Sequence, residues 1–588
     1  MAEIGSGNNS SYPGALDVNA VVEVNSPAAG KTKARKEVVE DLSAIAIAIE
    51  TELGTDPAGT LTDVKTYLQT QHQTDGTHKN THGPHKWLDE QDYANFTAAV
   101  AAAPNKTLVI ARSINLDANT TIPASVSLMP INPGIINANG YTLTINAPPV
   151  GNPMHQWLSG FAAGEVTGLK TVKAEWFGTI PLAVSVGTDV LLEKSDYTIP
   201  SLITTLEGQG IVGGGMSATA NKGTRLILSY DGDGIRLPYT FQDLKNFYLD
   251  CNNKNGDGIN AVCNYAKLER IQIKNCKTGY WALLIESSAN AYYDIFIMDC
   301  RNGINLTGVG SGSFQSFYNC YVVSDASGLM ETAIKLSVSS IVFAVNFYNL
   351  FIESGTGKAL EINNIAGSVI DGIYLEAPYL STGDLISFTG SSTTDFSIKN
   401  GVISQTHASY AGNFVTSVAG TNISFDNVFF NKVASNSIEL LNFNGTVGVS
   451  IKNCNLTAPA GSYFMYDSAT TEKLIIENLK SSNTTTIVLR GFSHRIEGGS
   501  SNVTIDIQST AHDIVIRNFP GTITIHSSAA RIVLINCTGS VTDTGNVSVQ
   551  LGALQATNAD TSGATLGQLE TEVNELKALL RNVGLMAT

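Results

Sequence analysis

The 588-residue chain is poor in charged residues and has no long hydrophobic run. Charged side chains make up 15% of it, and the formal net charge is −16. This is the wrong sign for a protein that neutralises phosphates, so we expect no nucleic-acid partner. No stretch of about eighteen apolar residues occurs, so we expect no membrane insertion. The first residues, MAEIGSGNN, also lack the basic and apolar regions of a secretory signal peptide.

The seven cysteines are an odd number, which argues against a disulfide framework. Five of them directly follow an Asn or Asp that ends an apolar phrase: Cys276, Cys300, Cys320, Cys454 and Cys537. We interpret them as reduced, buried small hydrophobes at equivalent positions of a repeating structure.

A loose internal repeat begins near Asp243. Apolar strands end at an Asn or Asp, and a new strand starts one or two residues later. The repeated residues are Asn246, Asn275, Asp299, Asn319, Asn349, Asp371, Asn400, Asn427, Asn453, Asn478, Asn518 and Asn536. Asn tolerates the left-handed backbone of a sharp turn, and stacked Asn side chains can hydrogen-bond to one another. Hairpin signals are few, which disfavours an antiparallel sandwich. The sequence therefore predicts an all-β, right-handed parallel β-helix, a solenoid, over 176–550.

Short helical patterns flank this region. Apolar residues at heptad spacing predict a short helical or coiled-coil region over 35–70 and a trimerising coiled coil over 551–588. The alternative is that each helix folds against its own chain. A Gly- and Pro-broken linker rich in His is expected over 71–88, and a small β-domain over 89–175.

Several phrases resemble bacteriophage tailspike and tail fibre proteins with a pectate-lyase-like β-helix. VKAEWFG at Val172–Gly178 is similar to the phrase that opens this β-helix, and TTLEGQGIVGGG at Thr204–Gly215 is similar to its early glycine-rich coil. TIPLAVSVGTDV then replaces the family's usual acidic run, so we expect a shortened first coil. SYPGALDV and LETEVNELKALLRNVGL resemble the ends of phage tail proteins.

The resemblance implies a homotrimer in the virion tail, made in the host cytoplasm and released by lysis. Its segment 1–34 would anchor it to phage tail, baseplate or neck proteins, and its β-helix would bind a bacterial surface glycan. We expect no cofactor, because the sequence has no P-loop and no Rossmann fingerprint. We also expect no metal, because His72, His78, His82 and His85 match no zinc spacing. The alternative is that one of these histidines, repeated three times around a trimer axis, holds an ion.

Two carboxylates are the candidates for catalysis. Glu353 and Glu376 lie 23 positions apart, near one period, and a glycoside hydrolase needs two carboxyl groups at the scissile bond. Their offsets from Asn349 and Asp371 are four and five residues, so the sequence leaves open whether they share a face. The alternative is that both are solvated or paired with a Lys.

Aromatic and acidic residues near 278–300 are the candidates for substrate binding: Trp281, Tyr292, Tyr293, Glu286 and Asp294. If Tyr280 aligns with the inward Ile304, then Trp281 and Leu283 point outward. This apolar stripe suits a glycan platform or, as we favour, a trimer interface.

Three functions fit these features. The first is a receptor-binding tailspike that recognises a bacterial surface polysaccharide and acts as a depolymerase, by hydrolysis or elimination. The second is a structural or adhesive tail fibre of the same fold that binds without cutting. The third is a secreted bacterial polysaccharide lyase, which would carry a signal peptide and would not need the predicted helical regions at both ends of the chain.

Overall fold

The computed structural model describes residues 87–551 apart from short internal segments, together with Asn574 and Lys577. The internal segments left out are 152, 187–188, 194–195, 218–222, 287–288, 308–313, 325–329, 354, 379, 381, 391, 419, 434–439 and 545–549. The predicted anchor 1–34, the helical region 35–70 and nearly all of the His-rich linker 71–88 lie outside the described residues. So does the predicted coiled coil 551–588 except for Leu551, Asn574 and Lys577, of which the last two are helical and exposed.

Two compact units make up the described chain. The first comprises 87–135 and 147–151. Strands β1, β2 and β5 form a parallel sheet in it, and the Asn95 side chain caps α1 by accepting the Ala98 N–H at 2.8 Å. Its elements are β1 (Trp87–Asp89), a 3-10 helix (Glu90–Asp92), α1 (Phe96–Ala101), β2 (Thr107–Ile110), β3 (Ser113–Asn115), β4 (Thr120–Ile122) and β5 (Ser127–Pro130).

The second unit opens with short strands and two short helices. They are β6 (Ile135–Asn137), β7 (Leu143–Ile145), β8 (Leu158–Ser159), β9 (Val166–Thr167), β10 (Thr171–Lys173), α2 (Ala174–Phe177) and α3 (Ile180–Val184). The first three residues of the EWFG phrase lie in α2, whose four residues are all buried, and Gly178 ends the helix in the left-handed conformation. Trp176 donates its indole N–H to the Pro153 carbonyl at 3.0 Å, and Glu175 accepts from the Tyr197 hydroxyl. The phrase therefore stabilises the start of the solenoid.

The strands that follow complete a 35-stranded parallel ladder within the described residues, in about 16 turns. The first group is β11 (Asp189–Leu192), β12 (Asp196–Ile199), β13 (Ile203–Thr204), β14 (Gly210–Gly213), β15 (Arg225–Leu228), β16 (Ile235–Leu237), β17 (Asp243–Asp250), β18 (Ile259–Ala261), β19 (Lys267–Lys274), β20 (Trp281–Ile285), β21 (Ala291–Met298), β22 (Asn302–Leu306), β23 (Gln315–Val323), β24 (Thr332–Phe343), β25 (Val345–Glu353) and β26 (Lys358–Glu376).

The ladder continues towards the C-terminus through β27 (Ile386–Phe388), β28 (Thr394–Gln405), β29 (Val415–Ser417), β30 (Ser424–Lys432), β31 (Leu441–Phe443), β32 (Ser450–Lys452), β33 (Asn455–Thr457), β34 (Ser462–Asp467), β35 (Ile475–Glu477), β36 (Lys480–Ser481), β37 (Thr485–Leu489), β38 (Arg495–Glu497), β39 (Val503–Ile507), β40 (His512–Arg517), β41 (Thr522–Ile525), β42 (Ala530–Ile535), β43 (Val541–Asp543) and β44 (Gln550–Leu551). The predicted all-β parallel β-helix is confirmed.

Each coil contributes to three parallel sheets. Sheet 1 runs from β10 to β44, sheet 2 from β12 to β36 and sheet 3 from β13 to β43. A long strand such as β17 bends at a corner and serves sheets 1 and 2 in turn. Because side chains alternate along a strand, apolar residues point inward and stack on those of the next coil. Tyr292, Phe317 and Phe347 form such a core stack, with ring centroids 4.4 and 4.3 Å apart.

The corner between sheets 1 and 2, called the first corner, carries the predicted Asn ladder. Its residues have left-handed backbones, with φ of 53° at Asn319 and 58° at Asn349. Asn349 donates its side-chain amide to Asn319 Oδ1 at 3.0 Å, and Asn319 donates to Asp294 Oδ1 at 2.9 Å. Gly498 occupies the corner in the wide gap between Asn478 and Asn518.

The repeat identified in the sequence is in fact spread over two corners. Asn275 and Asp299 follow the sheet-2 parts of β19 and β21, whereas Arg270 and Asp294 occupy the first corner of those coils. The sequence did not separate the two sets, because both corners follow an apolar strand.

All seven cysteines are buried and free, as expected from the sequence. Their predicted positional equivalence is wrong for Cys276 and Cys300, which follow sheet 2, whereas Cys320 follows the first corner. The Sγ atoms of Cys276 and Cys251 lie 3.0 Å apart, in contact without a covalent bond. Burial raises the pKa of the Cys320 thiol to about 12, so this side chain is an inert core residue.

No helix of the described part of the chain is long and apolar enough to cross a membrane.

A buried Asp–His pair joins successive coils near the C-terminal end of the solenoid. Asp467 and His494 have fully buried side chains, with Nε2 and Oδ2 2.9 Å apart. Asp467 also accepts the backbone N–H groups of Arg490 and Gly491. His494 Nδ1 accepts the Leu474 N–H at 3.3 Å, so Nε2 carries the hydrogen donated to Asp467.

Replacing Asn349 tests the ladder. Asn349→Ala should lower the free energy of unfolding by about 2 kcal/mol, because it combines left-handed strain with loss of an amide hydrogen bond. Asn349→Gly should cost about 1 kcal/mol, since glycine accepts the backbone. Guanidinium unfolding followed by circular dichroism measures both, and an Ala variant as stable as wild type would contradict the ladder.

Removing Asp467 tests the buried pair. Asp467→Ala should destabilise the protein by roughly 3–5 kcal/mol, because it leaves buried donors without an acceptor. Asp506→Ala is the control, since its pair with His526 is partly exposed, and about 1 kcal/mol or less is expected. The melting temperatures of the two variants measure the difference. An equal decrease in both would contradict the prediction that the buried pair stabilises the protein more than the exposed pair.

Candidate functional site

Glu353 and Glu376 lie directly opposite each other on adjacent strands of sheet 2. The register resolves the question that the sequence left open. Asn349 aligns with Gly372, which takes the left-handed position one residue after Asp371. Counted from these two corner residues, both carboxylates have an offset of four and share the outer face.

The two carboxylates have different surroundings. Both side chains are half-buried. Glu376 accepts hydrogen bonds from the Tyr374 hydroxyl at 3.0 Å and the Thr406 hydroxyl at 3.4 Å. Burial, and then the nearby Glu376 charge, raise the pKa of Glu353 above its usual value. Glu353 therefore holds its proton more strongly than an ordinary glutamic acid does.

A row of outward-facing aromatic side chains, called the aromatic stripe, leads to this pair along sheet 2. It consists of Phe296, Tyr321, Phe351 and Tyr374 on successive coils. Adjacent ring centroids lie 4.5, 5.7 and 4.9 Å apart. Tyr321 and Tyr374 are more than a third exposed. The stripe is thus a solvent-facing apolar surface beside two carboxylates.

A second row of rings runs on sheet 1, across the first corner. Tyr293, Tyr318 and Tyr348 stack with 4.9 Å between successive centroids, and the Lys267 ammonium lies 5.1 Å from the centre of the Tyr293 ring. These half-exposed tyrosines widen the aromatic surface to both sides of the Asn ladder.

The residues expected to bind substrate do not form one cluster. The prediction that Tyr292 binds substrate is wrong, because its side chain is fully buried in the core stack. Tyr293 faces outward on sheet 1, and Asp294 accepts the Asn319 amide within the ladder. Trp281 lies in β20 on sheet 3 and is half-exposed. Glu286 directly follows β20 and is exposed.

The predicted outward stripe of Trp281 and Leu283 is also wrong. Leu283, and not Tyr280, aligns with Ile304, and both are fully buried. The prediction assumed a different register between β20 and β22. In the observed register, Leu283 lies on the core face.

The residues that accompany the carboxylates, Tyr374, Phe351, Tyr321 and Thr406, were not predicted. A signal for two of them exists in the sequence. Tyr321 and Phe351 each lie two positions after a predicted repeat residue, a spacing that places them on the outer face, whereas Tyr374 has this spacing only from Gly372, which the structure identified as the corner residue.

Among the described residues, no group of three or more His, Cys, Asp or Glu side chains is arranged to hold a metal ion.

No protein-family model matches the chain, and no curated protein matches it in sequence. Among solved structures, the A-module of the mannuronan C-5 epimerase AlgE4 from Azotobacter vinelandii aligns with a TM-score of 0.31 and 13% identity, over 66% of this chain and 95% of that chain. DFA-IIIase from Arthrobacter chlorophenolicus A6 aligns with a TM-score of 0.34 and 12% identity, over 56% and 84%. Similarity this low carries no argument about the site.

The raised pKa of Glu353 predicts a pH-dependent effect on stability. A carboxyl group whose pKa is higher in the folded chain loses stabilising free energy as the pH rises above its unfolded value of about 4.3. Glu353→Gln should therefore raise the melting temperature relative to wild type more at pH 7 than at pH 4. Glu331→Gln, with the same charge change at an exposed position before β24, is the control, and an equal pH effect in both variants would contradict the coupling.

Proposed function

We propose that this chain is a receptor-binding tailspike of a bacteriophage, which binds a bacterial surface polysaccharide on the outer face of sheet 2 and hydrolyses it. The observation that carries the proposal is the in-register pair Glu353 and Glu376 beside the exposed aromatic stripe. A solenoid presents such a pair on a long, open face that suits a polymer better than a small molecule.

The pair suits a retaining hydrolysis. Adjacent strands lie about 4.8 Å apart, near the roughly 5–5.5 Å between carboxyl groups in retaining enzymes. Glu353, with its raised pKa, is the general acid and gives its proton to the leaving oxygen. Glu376, held by the Tyr374 and Thr406 hydroxyls, attacks the anomeric carbon. Water, deprotonated by Glu353, then releases the sugar and regenerates Glu376.

The aromatic stripe binds the sugar chain chiefly through ring edges and outer ring faces. Neighbouring rings of the stack cover one another's faces, except where the spacing widens between Tyr321 and Phe351 and where the stripe ends at Tyr374. Tyr374 thus offers an apolar contact next to Glu376, where a sugar ring must be held for reaction.

The tailspike assignment extends to assembly and location. We propose a homotrimer in the virion tail, attached through segment 1–34 to another tail protein and clamped by segment 551–588. The free, buried cysteines support synthesis in a reducing host cytoplasm. The sequence phrases similar to tail proteins are the further support for this assignment.

Cleavage of a panel of purified bacterial capsular and O-antigen polysaccharides tests the function. Wild type should release new reducing ends, and Glu353→Gln and Glu376→Gln should each lower the rate by at least about 100-fold. Tyr374→Phe should lower it less, because it removes one hydrogen bond and keeps both carboxylates. Glu331→Gln, an exposed side chain directly before β24 on sheet 3, should cleave at the wild-type rate.

The remaining outcomes separate the other functions. Products with the ultraviolet absorbance of an unsaturated sugar would identify a lyase and overturn hydrolysis. Polysaccharide binding without cleavage by wild type would identify a non-cutting adhesin. Full cleavage by both Gln variants would show that the catalytic residues lie elsewhere.

A further inference from the structure

A polar cavity of about 420 Å³ opens on the lower coils of the solenoid. It is called here the Asn–Lys pocket and is lined by Asn427, Asn453, Asn455, Asn478, Lys480 and Gly499. Amides and one ammonium group supply its polar atoms, and no carboxylate lines it. This makes the pocket chemically unlike the Glu353–Glu376 pair.

The Asn–Lys pocket continues the aromatic stripe along the same outward column of sheet 2. Below Tyr374 the aligned residues are Val402, Phe429, Asn455 and Lys480. Asn455 therefore lies three strands below the strand of Glu376, about 14 Å away at the spacing of adjacent strands. A polysaccharide lying along the solenoid axis at the carboxylates would reach the pocket within a few sugar residues.

The Asn ladder leaves acceptor atoms uncommitted in this pocket. Asn453 donates its amide to Asp426 Oδ1 and not to Asn427, so among the described residues no ladder amide donates to Asn427 Oδ1. Asn478 donates to Asn453, but the next first-corner residue is Gly498, which has no side chain to donate to Asn478 Oδ1. Two amide oxygens at the pocket wall are thus available to hydroxyl groups.

Lys480 and Asn455 add uncommitted donors. Within the described part of the chain, no residue forms an ion pair with Lys480 or a hydrogen bond with the Asn455 side chain. Lys452, on sheet 1 near this pocket, is by contrast paired with Glu477 at 3.1 Å. An unpaired ammonium group beside neutral amides attracts an anionic group of a ligand.

We infer that the Asn–Lys pocket is a distal subsite for a carboxylate-bearing sugar residue, such as a hexuronate, of the polysaccharide bound at the carboxylate pair. This inference rests on the proposed function for its polymer and on the pocket for its ligand chemistry. Lys480 binds the sugar carboxylate, and the Asn427, Asn455 and Asn478 amides bind ring hydroxyls, which both donate and accept.

Binding of monosaccharide probes to the full chain tests the inference without any cleavage. Titrations followed by saturation-transfer NMR compare methyl glucuronide, methyl galacturonide, methyl glucoside and glucose 6-phosphate. At least one uronide should bind, and the glucoside, which lacks the carboxylate of the glucuronide, should bind about tenfold more weakly or not at all. Absence of uronide binding, or binding of the phosphate alone, would overturn the carboxylate assignment.

Variants locate the bound probe. Lys480→Gln should weaken uronide binding about tenfold, because it removes the charge and keeps a polar side chain. Lys473→Gln, an exposed lysine of the same coil on the far side of sheet 1, should bind like wild type. Equal affinities of these two variants would place the probe elsewhere and overturn the subsite.

The two proposals fail separately. Uronide binding that depends on Lys480, together with no cleavage of any polysaccharide, would keep the subsite and reject the hydrolase. Cleavage that depends on Glu353 and Glu376, together with no uronide binding, would reject the subsite alone.

Discussion

Parallel pairing of each coil with the coils above and below is the interaction on which the rest of the structure depends. A single coil has three short strands and cannot bury its own apolar face, so its inward residues are covered only by their equivalents in neighbouring coils. In-register parallel strands also place like positions directly over one another at about 4.8 Å. Each side chain therefore contacts the side chains at the same position of the neighbouring coils along the axis.

This stacking favours some side chains and opposes others. Asn side chains at the first corner hydrogen-bond in series, and aromatic rings stack inside at Tyr292 and outside at Tyr318. Two glutamates in register, as at Glu353 and Glu376, repel each other instead. Stacking of like side chains stabilises the other positions, whereas at Glu353 and Glu376 it is unfavourable. Locally unfavourable interactions of this kind are characteristic of functional sites.

The outer face of sheet 2 changes character along the axis. Its upper and middle coils carry the aromatic stripe, whose last two rings share their strands with the two carboxylates, and its lower coils carry the amides and Lys480 of the Asn–Lys pocket. Groups for apolar contact, acid–base chemistry and recognition of polar or anionic groups thus share one face of the solenoid, with the carboxylates in the column next to that of the stripe and Lys480. A long ligand parallel to the axis can use all three, and a small molecule cannot.

The sequence by itself determined the parallel β-helix, the left-handed Asn turns and the reduced state of the buried cysteines, because turn chemistry and strand period are local properties. The sequence also predicted Glu353 and Glu376 as candidate catalytic residues, because they are separated by about one period. Only the tertiary structure decided that Gly372 brings these carboxylates into register, that Tyr292 and Leu283 face the core, and that Asn275 belongs to another corner. The physical reason is that a shift of one residue reverses the face of every side chain in a strand, and only pairing between coils fixes that register.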